Sequence, residues 1–210
     1  MSHAPADPLP PERFEELLRR RADAPSLSPT AVGRLARYLS DLDHWRRRIN
    51  LTGQLTAADL VDHANEALIA AGLLPSNGSL IDIGSGAGFP GVPLAIGRPD
   101  TQVTLLEPRT KRAAFLRHLV RALPLPKASV CEGRIENVGG QTFGAASTRA
   151  VGRLDRIVGE GRFLIPAGLL LLWTTEPEER ARELPGFELQ DVLAIPGARR
   201  RVIATLRKRR

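Results

Sequence analysis

Residues 80–91 read Leu80-Ile81-Asp82-Ile83-Gly84-Ser85-Gly86-Ala87-Gly88-Phe89-Pro90-Gly91. An apolar run that contains one carboxylate leads into a glycine-rich turn, and Pro90 stands where the first turn of a helix tolerates a missing N–H. This order predicts a strand, a tight turn and a helix. Glycine lets the backbone bend sharply and approach a ligand closely, which is how α/β folds hold nucleotide cofactors. We therefore expect an adenosine-containing ligand at this turn.

Further carboxylates and an arginine follow the next three predicted strands. Residues 101–107 form the second strand, which ends at Glu107, 23 residues beyond Gly84. In βαβ cofactor folds, an acid at this position accepts hydrogen bonds from the ribose hydroxyls. A third strand at 128–132 precedes Glu136, and a fourth strand with its loop at 143–151 contains Arg149. Because ligands bind at the carboxyl edge of such sheets, Arg149 is a candidate for the substrate chemistry. Glu136 is either a candidate for the adenine amine or a solvated carboxylate near Arg134.

Composition and charge narrow the class of protein. The 210 residues suffice for one α/β domain with an appendage, and Lys and Arg exceed Asp and Glu by seven, which favours a polyanionic partner. The single cysteine, Cys131, excludes an intramolecular disulfide and a multi-cysteine metal site, and we expect no metal. The N-terminus lacks the pattern of a secretory signal and no segment is long and apolar enough to span a bilayer. We expect a cytoplasmic protein with no membrane partner.

The N-terminal third is predicted to be helical. Helices are expected at 12–22, from Pro29 with Ser28 as N-cap, and from 57 to about 74 with Thr56 as N-cap. The turn cluster at 75–78 then separates a helical cap, residues 1–78, from a catalytic domain, residues 79–210.

The C-terminal part is predicted to complete the sheet and a basic surface. A helix at 154–160 and a buried strand at 169–173 precede an antiparallel pair, 187–193 and 201–206, around Pro196-Gly197. Clusters of cations at 46–48, at 111–121 and in the tail from Arg199 onward are expected to bind RNA phosphates. A solvated helix end is the alternative for residues 46–48.

Two cofactors are compatible with the glycine turn. Gly86, Gly88 and Gly91 satisfy the dinucleotide pattern G-x-G-x-x-G, so an NAD-dependent oxidoreductase must be considered. Asp82, however, precedes the first glycine and would face an anionic pyrophosphate unfavourably. The same carboxylate could attract the ammonium group of a methionine moiety, directly or through water. S-adenosylmethionine therefore fits better.

The chain resembles a family of methyltransferases. Asp82–Gly91 and Glu107 look like motifs I and II of the class I S-adenosylmethionine-dependent methyltransferases. A closer resemblance, to the bacterial small-subunit (16S) ribosomal RNA guanine-N7 methyltransferases, once called glucose-inhibited division protein B, rests on these residues together with Asn50-Leu51-Thr52, His63, Lys111-Arg112 and Ser147-Thr148-Arg149-Ala150. The resemblance implies a Rossmann-like, mostly parallel twisted sheet with a helical cap. It also implies methyl transfer to N7 of a guanine in 16S RNA, namely guanine 527. The substrate would be naked RNA or the small ribosomal subunit, and the enzyme a monomer.

The resemblance also implies roles for individual residues. Cofactor contacts are expected from the turn residues Asp82, Gly84, Gly86, Gly88 and Phe89, from Glu107 at the ribose, and from Ile135, Glu136 and Arg149. Candidates for the substrate pocket are Arg149, Asn50, His63, Lys111 and Arg199. The chain departs from the family pattern at Gly144, where an acid is common, and at Gly197-Ala198-Arg199-Arg200, where the family has Gly-Glu-Arg-His.

The expected chemistry agrees with the absence of an obvious base. N7 of guanine carries a lone pair and no proton, so its methylation requires alignment and not a general base. Methylation of a cytosine carbon generally uses a cysteine nucleophile, but Cys131 lies on a predicted strand without a Pro-Cys motif. Two alternatives stay open: a methyltransferase with a small-molecule or protein substrate, and a non-catalytic RNA-binding relative.

Overall fold

The computed structural model describes residues 7–21, 26–149, 158–159, 161–198 and 200–209. These residues form a seven-stranded sheet flanked by helices. The strands are β1 (Ser79–Ile83), β2 (Gln102–Glu107), β3 (Ala128–Glu132), β4 (Phe143–Arg149), β5 (Leu164–Thr174), β6 (Phe187–Ala194) and β7 (Val202–Lys208). The α-helices are α1 (Pro11–Arg19), α2 (Pro29–Trp45), α3 (Ala57–Ile69), α4 (Gly91–Gly97), α5 (Thr110–Ala122) and α6 (Pro177–Arg182).

The sheet has the order β3-β2-β1-β4-β5-β7-β6. Strands β1 to β5 are parallel to one another, whereas β7 pairs antiparallel with both β5 and β6. The strand order reverses between β1 and β4, and the carboxyl ends of such a pair border the crevice where α/β sheets bind ligands. The predicted fold class, with its C-terminal antiparallel hairpin, is confirmed.

The predicted N-terminal helices are confirmed together with their caps. Ser28 Oγ accepts a hydrogen bond from Ala31 N at 3.2 Å. Thr56 and Asp59 form a reciprocal capping box at the start of α3, which satisfies two donors that a helix otherwise leaves without partners. A 3₁₀ turn at Ala70–Leu73 continues α3 to the predicted end.

The helical cap shares its hydrophobic core with the sheet. Buried residues of α1, α2 and α3, such as Phe14 and Leu60, belong to the same cluster as Leu80 of β1 and Leu105 of β2. Arg98, which follows α4, donates hydrogen bonds to the carbonyls of Ala71 and Leu74, both at 2.7 Å. Contacts therefore cross the predicted boundary at 75–78, and the division into two domains stays a prediction.

Two elements differ from the predictions. Strand β5 begins at Leu164 and not at Leu169. Helix α6 was not predicted because it has only six residues and buries none of them, so it lacks an apolar periodicity. The predicted helix at 154–160 lies largely outside the described residues. Across the described ranges, no helix is long and apolar enough to cross a membrane.

Candidate active site

The glycine turn leaves β1 in a conformation that depends on glycine. Gly84 N and Ser85 N both donate to the carbonyl of Leu106, at 2.9 and 3.0 Å, and fasten the turn to β2. Gly88 has a φ of 104°, and an added Cβ would lie 2.8 Å from Val92 Cγ2 and 3.1 Å from Tyr38 Oη. The positive φ and the packing against Val92 and Tyr38 therefore both exclude residues other than glycine at position 88.

Asp82 lies beneath this turn and is fully buried. Its Oδ1 accepts a hydrogen bond from Ser147 Oγ at 2.8 Å, and its Oδ2 accepts one from Gly91 N at 3.2 Å. Burial raises the pKa of Asp82 to about 6, although the hydrogen bonds from Ser147, Ser85 and Gly91 oppose the shift. The carboxylate joins β1, β4 and the start of α4. It does not line the cleft described below, so its placement does not support the expected direct attraction of a ligand ammonium group.

Glu107 holds the turn from the end of β2. Its Oε2 accepts a hydrogen bond from Gly86 N and its Oε1 one from Arg109 N, both at 2.9 Å. A carboxylate oxygen can accept more than one hydrogen bond, so both oxygens keep acceptor capacity. Glu107 is therefore positioned to receive hydroxyl donors at the mouth of the turn.

A cleft of about 500 Å³ opens between the turn, the end of β2 and the helical cap. Its volume is within the range of about 300–1,000 Å³ that small-molecule sites occupy. The cleft brings together six of the predicted site residues, namely Gly84, Gly86, Phe89, Glu107, His63 and Arg149. Residues that were not predicted as cofactor contacts also line the cleft. They come from the cap loop, which joins α2 to α3, and from the start of α5: Leu51, Thr52, Gly53, Leu55, Arg109 and Arg112.

Phe89 is held between two rings of the cap. Its ring makes edge-to-face contacts with Tyr38 of α2 and His63 of α3, at centroid distances of 5.3 and 5.7 Å. Tyr38 Oη also donates to the carbonyl of Ala87 at 3.1 Å, inside the glycine turn. Sequence reasoning missed Tyr38; its only signal is a tyrosine on the buried face of α2.

His63 and Arg149 contact each other at the cleft. Arg149 Nη2 lies 2.8 Å from His63 Nδ1 and 3.2 Å from Nε2. Behind them is Glu66, which is 4% exposed and whose Oε2 lies 3.4 Å from Arg149 Nη2. Burial lowers the pKa of Arg149, and Glu66 counters this effect. Glu66 was not predicted as a site residue.

Ile135 and Glu136 lie in a separate cavity. They form a 3₁₀ turn after β3, and the preceding Gly133 donates its N–H to the carbonyl of Glu107 at 3.1 Å. The two residues line a space of about 410 Å³ together with Val158, Arg162 and Phe163. They therefore share the carboxyl edge of the sheet with Glu107 but not the cleft that contains the glycine turn.

The remaining predicted substrate residues have different placements. The carbonyl of Asn50 accepts hydrogen bonds from Arg112 Nε and Nη2 at 3.2 and 2.9 Å, which links the cap loop to α5. Lys111 is exposed in the first turn of α5. Arg199 lies outside the described residues.

Several cations of the predicted basic surface form ion pairs with carboxylates of the same chain. Arg46 and Arg47 both pair with the buried Asp43, at 2.6 and 3.3 Å, so this arginine run is more than a solvated helix end. Arg117 pairs with Glu132 at 2.7 Å. Six other described cations of the predicted clusters are exposed: Arg48, Lys111, Arg121, Arg200, Arg207 and Arg209.

Comparisons with known proteins identify the family of this chain. The model of the family described as "rRNA small subunit methyltransferase G" matches residues 32–183. The chain belongs to the rRNA small subunit methyltransferase G family. The member from Halorhodospira halophila is 35% identical over 203 residues, which cover 93% of this chain and 94% of the relative. The resemblance inferred from the glycine turn, the cap and β4 is thereby confirmed.

Solved structures agree with the fold of this family. The ribosomal protein L11 methylase of Lactobacillus delbrueckii superposes with a TM-score of 0.59 at 9% identity, over 75% of this chain and 91% of that chain. TYW2 of P. horikoshii, solved in complex with MeSAdo, superposes with a TM-score of 0.58 at 16% identity, over 70% and 62%. These likenesses show that this chain has the fold of class I methyltransferases.

Proposed function

We propose that this chain transfers the methyl group of S-adenosylmethionine to N7 of a guanine in 16S ribosomal RNA, with guanine 527 as the target base. The observation that carries the proposal is the cleft that the glycine turn and Glu107 line together with His63 and Arg149. Membership of the family supports the same reaction.

The residues of the cleft fit an adenosine-containing methyl donor. Gly84 and Gly86 expose backbone where a side chain would otherwise fill the space, and Glu107 keeps acceptor capacity for the ribose hydroxyls. Ile135 and Glu136, in the neighbouring cavity, would contact the adenine. When bound, the donor supplies a methyl group on a sulfonium centre, which is electrophilic without further activation.

The residues of this chain then need to orient the guanine and exclude water. N7 offers a lone pair and releases no proton, so the site requires no general base. Arg149 and His63 line the same cleft as Glu107, where they would align the base with the donor. Phe89 and Leu51, both buried apolar residues, would limit the access of water.

The charge of the chain supports an RNA substrate. The net charge is +7, and the exposed Lys111 lies next to Arg112, which lines the cleft. Neutralising phosphates releases counterions, so the affinity should fall steeply as salt rises. Arg48, Lys111 and Arg121 are the described cations that we assign to this surface.

A methyl-transfer assay tests the proposal. Purified protein is incubated with methyl-labelled S-adenosylmethionine and with either small subunits or naked 16S RNA from cells that lack the modification. The product is digested and its methylated nucleoside is mapped by mass. We expect one N7-methylguanine, and the comparison of the two substrates shows whether the assembled particle is required.

Two outcomes would support the alternatives. Cofactor binding without transfer to either RNA substrate would favour a small-molecule or protein substrate. RNA binding without measurable cofactor binding in a titration would favour a non-catalytic RNA-binding relative.

A further inference from the structure

Glu66 is a buried carboxylate next to the candidate site but outside its cleft. It lies on α3, one turn after His63, and only 4% of it is exposed. A buried charge costs free energy unless it is paired, so its partners indicate its role.

The two oxygens of Glu66 face partners on different strands. Oε1 accepts a hydrogen bond from Arg201 Nη2, just before β7. Oε2 lies 3.4 Å from Arg149 Nη2 at the end of β4 and 3.6 Å from His63 Nδ1. The carboxylate therefore connects the cap to both the parallel and the antiparallel part of the sheet, next to two residues that line the cleft.

The charges around Glu66 keep it ionised. Burial raises the pKa of Glu66, but His63, Arg201 and Arg149 outweigh the burial and hold the pKa below its usual value. Arg201 and Arg149 in turn repel each other, since Arg201 lowers the pKa of Arg149. Without the carboxylate, Arg149 would lose its counter-charge and face a second cation directly.

We propose that Glu66 is a positioning residue that holds the guanidinium of Arg149 against His63 and toward the cleft. This inference rests on the proposed methyl transfer, since it assigns Glu66 a role through Arg149. The ion pair with Arg201 alone would account for a role in folding. The direction of Oε2 toward Arg149 and His63 accounts for a role in the reaction.

The first test compares three variants with the wild-type chain. Glu66→Gln keeps the shape and removes the charge, and Glu66→Asp keeps the charge on a shorter side chain. Asp59→Ala removes the partly exposed capping carboxylate in the first turn of the same helix and serves as the control for helix stability. We expect kcat to fall roughly 10-fold to 100-fold in Glu66→Gln, since small misplacements of aligning groups have effects of this size. Glu66→Asp should recover part of the loss, and Asp59→Ala should lower Tm with kcat near wild type.

The second test is a double-mutant cycle with Arg149→Ala. If Glu66 acts through Arg149, Glu66→Gln should cause no further loss of kcat in the Arg149→Ala background, because neighbours that act as a unit are not additive. If Glu66 had a purely structural role, the fold-losses of kcat from Glu66→Gln and Arg149→Ala would multiply in the double variant. Tm is recorded for every variant, and kcat is measured well below the lowest Tm.

The outcomes separate this inference from the proposed function. A wild-type chain that transfers no methyl group to 16S RNA or small subunits contradicts the proposed function itself. An active wild-type chain overturns the role of Glu66 if Glu66→Gln retains its kcat, if Asp59→Ala loses kcat to the same extent, or if the losses multiply in the cycle. Should Glu66→Gln fail to fold, Glu66→Asp provides the decision: wild-type kcat with a shortened carboxylate also overturns the role.

Discussion

The hydroxyl of Ser147 donates a hydrogen bond to Oδ1 of Asp82 at 2.8 Å, between two strands that are neighbours in the sheet. Asp82 and Ser147 are paired in register across β1 and β4, and both are fully buried. The glycine turn therefore begins from a carboxylate that is enclosed on all sides. This enclosure makes the stability of the protein sensitive to pH.

We predict that ionisation of Asp82 lowers the free energy of unfolding as pH rises from about 4 to about 7. Its pKa is 3.8 in the unfolded reference and about 6 in the folded chain, so the folded state binds more protons in this window. The protonated carboxyl of Asp82 therefore stabilises the folded state below about pH 4, and about 3 kcal/mol of this stabilisation is lost by about pH 7. Urea unfolding of wild type and Asp82→Asn at several pH values should show their difference in stability shrinking as pH rises.

Asp100, a carboxylate whose pKa is lowered and not raised, provides the control for this measurement. Arg98 holds the pKa of Asp100 well below its usual range, so Asp100 contributes stability above that range. The advantage of wild type over Asp100→Asn should therefore grow as pH rises toward the unfolded pKa of 3.8 and stay constant between about pH 5 and about pH 7, where that of Asp82 changes. Parallel pH curves for wild type and Asp82→Asn would contradict the prediction.

We predict that Arg149→Lys impairs methyl transfer although it keeps the positive charge. Arg149 contacts His63 and approaches Glu66 through one nitrogen, Nη2, at the end of a rigid planar guanidinium, whereas a lysine ammonium lies on a flexible stem. kcat/KM should fall at least about 10-fold, and Arg149→Ala should be worse by a similar factor. Arg180→Lys, in an exposed ion pair on α6, is the matched control and should behave as wild type. Unchanged cofactor affinity and unchanged transfer in Arg149→Ala would remove Arg149 from the site.

We predict opposite effects for two glycine-to-alanine substitutions. Gly88→Ala should destabilise the chain by at least about 2 kcal/mol and weaken cofactor binding, because of the positive φ and the clash with Val92. Gly33→Ala should stabilise it by about 0.5–1 kcal/mol, because Gly33 lies within α2 with nothing within 4 Å of an added Cβ. Thermal unfolding measures both. A Gly88→Ala variant with wild-type Tm would show that the turn tolerates a side chain.

We predict that the exposed cations near the cleft set the salt dependence of RNA binding. Lys111→Glu and Arg121→Glu should weaken binding to small subunits, and each lost phosphate contact should reduce the slope of log K against log salt by roughly 0.7–0.9. Arg180→Glu is the control, since α6 packs on β6 and β7, at the opposite end of the sheet from α5. Filter binding at several salt concentrations gives the slopes. Equal slopes for all three variants would place the RNA elsewhere on the molecule.

The elements that could be predicted are those that local chemistry determines. Ser28 before Pro29 and Thr56 before Asp59 are helix caps whose signal lies within four residues. The glycine turn is likewise a local pattern, and Glu107 follows it at a distance that the βαβ unit dictates. Helix α6 escaped prediction because nothing in it is buried.

The contacts that could not be predicted join distant parts of the chain. Glu66, Arg149 and Arg201 lie on α3, β4 and the approach to β7, and no periodicity relates them. The same holds for Tyr38, whose hydroxyl meets Ala87 across 49 positions of sequence. For Asp82, the sequence placed a carboxylate near the turn but did not reveal that Ser147 and Gly91 enclose it.

The core that the helical cap shares with the sheet limits how this enzyme can be shortened. A chain cut at Gly78 would lose Tyr38 and His63, the two rings that enclose Phe89, and would expose the faces of Leu80 and Leu105 that the cap covers. The N-terminal helices thus share one hydrophobic core with the strands that border the cleft. Truncation at the predicted boundary should yield an insoluble fragment and not a minimal catalytic domain, and heating the intact chain should give a single unfolding transition.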